Sequence, residues 1–307
     1  MPVPLLYAAT VLVWGLSWYA MEMQLVLPGE LAIVYRFLLA TAILLAYCAA
    51  TRRSLRFRAR DHLFMALQGL LLFCLNYVLF YWAAADLVSG LLAVCFSTMT
   101  VMNIVIGALL FRRRVDPIVA VAALLGLVGL ALVFWPELAH VELSGKAAIG
   151  LALSLGGTVS ASLGNMVTVR HKAAGVPVVQ GNTIGMAYGT LFSFAIVLAR
   201  GIPLQFDGSS GYVGSLLYLS LFATVLGFGC YLTLVQRIGP DRAAYTTVLF
   251  PLVALAVSTV LENYHWTVMA AFGVALVLAG NLLVLVQRRP APVLPAVPLP
   301  AAARSGK

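Results

Sequence analysis

Ala120-Val-Ala-Ala-Leu-Leu-Gly-Leu-Val-Gly-Leu-Ala-Leu-Val133 and Ala271-Phe-Gly-Val-Ala-Leu-Val-Leu-Ala-Gly-Asn-Leu-Leu-Val284 lie 151 residues apart, and the second reads as a diverged copy of the first. Ala120/Ala271, Leu125/Leu276, Leu127/Leu278, Gly129/Gly280, Leu132/Leu283 and Val133/Val284 coincide. Leu and Val matches arise cheaply in so apolar a chain. The same offset, however, pairs Tyr77 with Phe228, Phe80 with Tyr231, Ala93 with Ala244 and Thr100 with Pro251, and it brings the ends of the apolar runs into register. Ten such runs are expected, at 3–22, 31–50, 62–82, 87–111, 116–135, 146–170, 177–199, 212–236, 242–261 and 266–287. Each has roughly 18 to 25 residues, the length a helix rising about 1.5 Å per residue needs to cross a hydrocarbon layer about 30 Å thick.

Composition agrees with a chain that lives in a bilayer: 63% of its 307 residues are hydrophobic, 9% are charged, and the mean hydropathy is +1.02. The polar breaks at Gln68, Asn76, Asn103, Asn165 and Asn182 require helices, because only a helix satisfies its own backbone in lipid. A membrane barrel would alternate polar and apolar residues, and these runs do not. The expected fold is therefore an all-α polytopic membrane protein of ten transmembrane helices. Residues 1–142 and 143–289 are expected as two five-helix repeats, with 290–307 a disordered cytoplasmic tail rich in Pro and Ala. Five is odd, so the second repeat must begin on the opposite side of the membrane and the two copies are inverted. Inverted copies exchange shapes to open a central site to one side and then the other, which is alternating access.

Basic residues orient the bundle. Arg52, Arg53, Arg56, Arg58, Arg60, Arg112, Arg113, Arg114, Arg170, Lys172, Arg237, Arg242, Arg288, Arg289, Arg304 and Lys307 fall on one side, and only Lys146 and Arg200 on the other. Both termini are thus expected in the cytoplasm. The formal charge of +9 is spread over several short turns and forms no single nucleic-acid-binding face. No Lys or Arg precedes the first run, which is also too long for a cleavable signal. Cys48, Cys74, Cys95 and Cys230 lie inside runs without CxxC spacing and read as small buried residues. No metal, cofactor or enzymatic role is expected. His62, His140, His171 and His265 sit at loops or run ends, and neither HExxH nor GxSxG occurs.

Two five-span halves, Leu12-Val13-Trp14-Gly15-Leu16-Ser17 in the first run, Pro251 eleven residues before Glu262, and the Gly273…Gly280 pair resemble the drug/metabolite transporter superfamily of the EamA type, over about residues 5 to 287. The chain is most similar there to the YddG-type exporters of aromatic and other amino acids. It departs from the pattern in carrying Thr100 where the second half has Pro251, and Arg112 near the place of Glu262. The resemblance implies a transporter in the inner (cytoplasmic) membrane whose partners are the lipid bilayer and a neutral, aromatic amino acid. A monomer is compatible with it. An exporter of other metabolites or drugs, proton-coupled in one version, is the alternative on the same scaffold.

Helical spacing selects the residues that face inward. Phe96, Thr100, Asn103 and Gly107 share a face, and the repeat offset carries that stripe to Thr247, Pro251, Ala254 and Ser258. Trp14, Ser17, Trp18 and Met21 form another, as do Thr158, Ala161 and Asn165, then Asn182, Met186, Gly189 and Ser193, with Tyr77 and Tyr81 beside Asn76. Together with Phe228 and Phe250 these would line an apolar, aromatic cavity with sparse polar anchors, suited to a small amphipathic solute. Helix packing is the competing reading for each of them, and for Trp82, Trp135, Tyr212, Tyr264 and Trp266 near the run ends interfacial anchoring is expected. No Asp or Glu lies mid-run, which favours downhill export over ion coupling. Arg36 stands about two turns inside the second run. It either snorkels outward, pairs with Glu22 or Glu30, or attracts a substrate carboxylate. Pro251 is a kink and a candidate gate. Sugar phosphates would need several buried cations that this chain lacks.

Overall fold

The protein is described from a computed structural model covering residues 1–24, 26–87, 89–112, 115–133, 135, 139, 145–261 and 267–286. Among these residues the structure is helix and connection, with no strand. In chain order the helices are α1 (Val3–Gly15), α2 (Ser17–Glu22), α3 (Gly29–Ala50), α4 (Ala59–Gln68), α5 (Asn76–Ala83), α6 (Ser89–Ser97), α7 (Met99–Phe111) and α8 (Pro117–Val133). The second half contains α9 (Gly145–Ala173), α10 (Val178–Ala199), α11 (Ser210–Tyr218), α12 (Gly227–Ile238), α13 (Pro240–Ala243), α14 (Tyr245–Leu261) and α15 (Val268–Val286). Among the described residues, six helical stretches are long and apolar enough to cross a membrane: 29–50, 59–83, 94–111, 145–173, 178–199 and 210–238. The chain is a multi-pass membrane protein. Shorter apolar helices cover Val3–Gly15 and Pro117–Val133, while α14 runs 17 residues around the buried Pro251. The expected tail, Glu262, Tyr264 and Trp266 lie outside the described residues.

Local chemistry sets the ends and breaks of these helices. Pro28 and Pro177 precede α3 and α10, where a missing N–H removes nothing the helix would use. Gly175 and Gly201, at φ +71° and +63°, take the left-handed conformation that closes α9 and α10, and the next N–H groups return to His171 and Val197. Two expected single spans are broken. The first parts after Gly15, where the Ser17 hydroxyl donates to the Trp14 carbonyl at 2.8 Å, and the fourth at Thr98, whose hydroxyl donates to the Cys95 carbonyl at 2.5 Å. Such back-bonding bends a helix.

Two π-helical segments, Gly69–Leu75 between α4 and α5 and Leu219–Leu226 between α11 and α12, recur at nearly the 151-residue offset found in the sequence. Contacts between helices follow the same offset. α1 packs on α12 and α14, and α9 packs on α5, α6 and α7. α3 pairs with α10, and α8 with α15. These dominant contacts cross from one half of the chain to the other, so the core belongs to both halves jointly. The α8–α15 seam shows how close the approach is. A Cβ on Gly129 would stand 2.6 Å from the Gly273 carbonyl oxygen, and one on Gly280 would stand 2.7 Å from that of Ala122. Adding 151 to 129 gives 280 and subtracting it from 273 gives 122, so the offset converts one contact into the other. Small residues let helix backbones meet in this way, where lipid supplies no hydrophobic drive. Gly157, Gly164 and Gly189 likewise fit against Phe80, Leu72 and Phe73. All four cysteines are buried and free. Tyr212 is no interfacial anchor: it is buried among Leu27, Leu31 and Leu216, with Phe206 of the 200–209 connection set edge-on against its ring.

Candidate functional site

Trp14 stands at the centre of the aromatic side chains. Its ring centroid lies 5.1 Å from Phe228, 5.0 Å from Tyr231 and 6.4 Å from Phe250. Phe250 continues to Phe96 at 5.9 Å and Phe96 to Phe80 at 5.3 Å, while Phe228 meets Phe73 at 5.1 Å. The rings meet mostly edge to face, the arrangement their quadrupoles favour. Five helices and a π segment therefore converge here from both halves. Trp14, Tyr77, Phe80, Tyr81 and Phe96 keep part of their surface open, and Phe228, Tyr231 and Phe250 form a sealed backing.

The π segments explain how α1 and α9 are held. A π turn shifts the backbone ladder by one residue and leaves carbonyls open to side chains. The Trp14 indole N–H donates to Ala223 O in the second π segment at 2.9 Å, and the Ser160 hydroxyl donates to Leu71 O in the first at 2.7 Å. Gly227 makes the first bond possible, because a Cβ there would lie 2.5 Å from Trp14 Nε1.

Amides and hydroxyls tie helices together near the rings, within the second half and between the halves. Asn165 Nδ2 donates to the Tyr231 hydroxyl at 2.9 Å and lies 3.5 Å from Met99 Sδ. Asn103 Nδ2 donates to Pro240 O at 3.0 Å, and the Thr100 hydroxyl to Ala244 O at 3.4 Å. The Oδ1 atoms of Asn103 and Asn165 are sealed and unpartnered. Thr100, Asn103 and Asn165 thus carry helix contacts in this conformation. Ser17, the first residue of α2, is turned back onto the end of α1, and Asn182 is buried in α10 without a hydrogen bond to the cluster. The Trp18 side chain, like those of Ala254 and Ser258, lies outside the described residues.

Arg36 neither snorkels nor pairs with Glu30, and the side chain of Glu22, the other partner expected for it, lies outside the described residues. Only 5% of it is exposed, its Nε donates to the Thr224 hydroxyl at 2.7 Å, and its guanidinium carbon lies 5.2 Å from the centroid of the Tyr77 ring and 5.9 Å from that of Phe37. Glu30 is engaged instead by Arg200 and by the Trp82 indole N–H, the latter at 2.8 Å. The reason is position: Glu30 begins α3 beside the ends of α5 and α10, whereas Arg36 is almost two turns deeper. Phe37, Phe73, Phe80, Thr224 and Tyr231, all absent from the expected lining, complete the surroundings. Tyr231 had a sequence signal, since the repeat offset pairs it with Phe80. Phe37 and Thr224 had none, because their roles depend on how the second helix of one half meets the π segment of the other. Elsewhere, an apolar cleft between α3 and α10, lined by Leu45, Thr183, Ile184, Ala187, Tyr188 and Leu191, opens on the outer face of the bundle.

Residues 1–135 and 142–286 each match the EamA-like transporter family. Protein PagO of Salmonella typhimurium is 23% identical over 291 residues, 93% of each chain. A probable amino-acid metabolite efflux pump of Escherichia coli is 25% identical over 289 residues, covering 88% of this chain and 90% of its own. One solved crystal structure superimposes with a TM-score of 0.78 at 14% identity, across 94% of this chain and 99% of that one, which is a likeness of fold.

Proposed function

The chain belongs to the EamA-like transporter family, and from that premise we propose that it exports aromatic and other neutral amino acids across the cytoplasmic membrane by facilitative alternating access. In this reading ten spans form two inverted repeats, 1–142 and 143–289, around a shared central cavity, with both termini and the 290–307 tail in the cytoplasm. The observation that carries it is the convergence of Trp14, Phe96, Phe228, Tyr231 and Phe250 from both halves into one cluster. A water-excluding aromatic surface with few polar groups takes a solute of matching character. The repeat-related contacts at Gly129–Gly273 and Gly280–Ala122 support a two-fold relation between the halves. Kinship to a protein named an amino-acid metabolite efflux pump supports the substrate class.

Trp14, Trp18, Tyr77, Tyr81 and Phe96 are the proposed apolar lining, with Phe228 and Phe250 behind them. Ser17, Thr100, Asn103, Asn165 and Asn182 are the proposed polar positions, and those that now bond across helices would be released when the bundle changes state. Pro251 lies in α14 where α1 and α6 meet it, a suitable place for a bend. Counterflow of labelled phenylalanine into liposomes containing the purified chain, with and without a pH gradient, tests the proposal. Flux above protein-free vesicles that ignores the gradient is expected. Absence of flux, or strict dependence on the gradient, would overturn the export or the facilitative part respectively.

A further inference from the structure

Arg36 is left unexplained by the packing of the helices. A cation inside the hydrocarbon region is costly, and such residues are retained where they face a partner or a pathway. Here the helix contacts supply only the Thr224 hydroxyl, on Nε, and the ring faces of Tyr77 and Phe37. Neither terminal nitrogen donates a hydrogen bond to any described residue, and neither is among the buried side-chain atoms left without a partner. The fork that suits a carboxylate is therefore held in place by its inner nitrogen and, among the described residues, unpartnered at its outer edge. Beside it stands Tyr77, whose ring centroid is 5.2 Å away, with Tyr81 one turn further along α5, and both are partly open.

Among the described residues no carboxylate stands opposite Arg36. Glu30 is taken by Arg200 and Trp82, and Asp61 by Arg170. The other carboxylates whose side chains are described, Asp86, Asp116, Asp207 and Asp241, stand at helix ends or in connections. A zwitterionic solute would find a fixed positive charge for its carboxylate, and no described carboxylate for its ammonium.

We propose that Arg36 receives the carboxylate of the transported solute and that the amino group goes unrecognised, so that aromatic carboxylates lacking an amine are carried as well as amino acids. This rests on the export reading and narrows it from a class defined by the side chain to one defined by the acid group. The aromatic portion of the solute lies against Tyr77 and Tyr81.

The test uses competition in the phenylalanine counterflow assay with the unmodified full chain. Phenylpyruvate keeps the carboxylate and lacks the amine, whereas phenethylamine keeps the amine and lacks the carboxylate. Phenylpyruvate should compete about as well as phenylalanine, and phenethylamine about 10- to 100-fold more weakly, the factor one or two charge-assisted hydrogen bonds supply. Arg36→Gln should abolish that discrimination, and Arg36→Lys should restore part of it. Equal competition by phenethylamine, or none by phenylpyruvate, with phenylalanine flux intact would overturn this inference and leave export standing. Flux of neither acid in the unmodified protein would overturn both. Should Arg36→Gln fail to fold, the competition series on the unmodified chain still decides.

Discussion

Replacing Trp14 by phenylalanine removes one donor and keeps a ring where three others meet it, at 5.1, 5.0 and 6.4 Å. What is lost is the 2.9 Å bond from the indole N–H to Ala223 O. One such bond contributes about 1 kcal/mol net, and where the carbonyl is left unpaired away from water the cost rises to as much as about 3 kcal/mol. The expected destabilisation is therefore roughly 1–3 kcal/mol, a fall in melting temperature of about 2–4 °C for each kcal/mol. Ser160→Ala removes the corresponding donor to Leu71 O and should cost about 1 kcal/mol. Both variants are assayed in detergent by thermal melting and in liposomes by counterflow. Since α1 and α9 are anchored through these bonds, flux should fall in both. An unchanged melt for Trp14→Phe together with unchanged flux would refute the idea that the π segments hold the first helix of each opposing half. An unchanged melt with lost flux would mean that the indole serves the solute alone.

Gly129→Val drives a side chain into the Gly273 carbonyl 2.6 Å away and should destabilise the α8–α15 pair by about 1–3 kcal/mol or more, measured by melting. Gly229→Ala is its control, because nothing stands within 4 Å and the helical glycine gains about 0.4–1 kcal/mol by the change. A double-mutant cycle of Asn165→Ala and Tyr231→Phe should return a coupling of about 0.5–3 kcal/mol in melts, and strictly additive effects would contradict the 2.9 Å bond. Ser54→Cys should react with a membrane-impermeant maleimide only from the cytoplasmic side and Asp207→Cys only from the other, the native cysteines being buried. Labelling of both from one side would reverse or break the proposed topology.

The span positions were largely legible. Apolar run length is imposed by the bilayer on each segment separately, so a reading residue by residue recovers the six long apolar helices. The aromatic stripe through Trp14, Phe96 and Phe228 was legible for a related reason, since large rings at helical spacing in both copies point to a shared interior. The breaks after Gly15 and at Thr98 were not, because serine and threonine bend a helix only when their hydroxyls turn back onto it. Nor were the π segments, whose residues, Gly-Leu-Leu-Leu-Phe-Cys-Leu and Leu-Ser-Leu-Phe-Ala-Thr-Val-Leu, carry no composition that ordinary helix lacks. Asn103 illustrates the limit: its place on an inward stripe was readable, but its bond to Pro240, 137 positions away, was not.

By itself the sequence determined a helical chain built for lipid, duplicated at 151 residues and asymmetric in charge, because the solvent around each helix acts locally and leaves a one-dimensional record. The tertiary structure alone decided that each half supplies the neighbours of the other, that Trp14 reaches a carbonyl released by a π turn, and that Arg36 is buried against Thr224 and Tyr77 while Glu30 goes to Arg200. Those choices depend on shape and hydrogen-bond partners brought together from distant parts of the chain, and within a membrane close fit between helices takes over from the hydrophobic drive that water would supply.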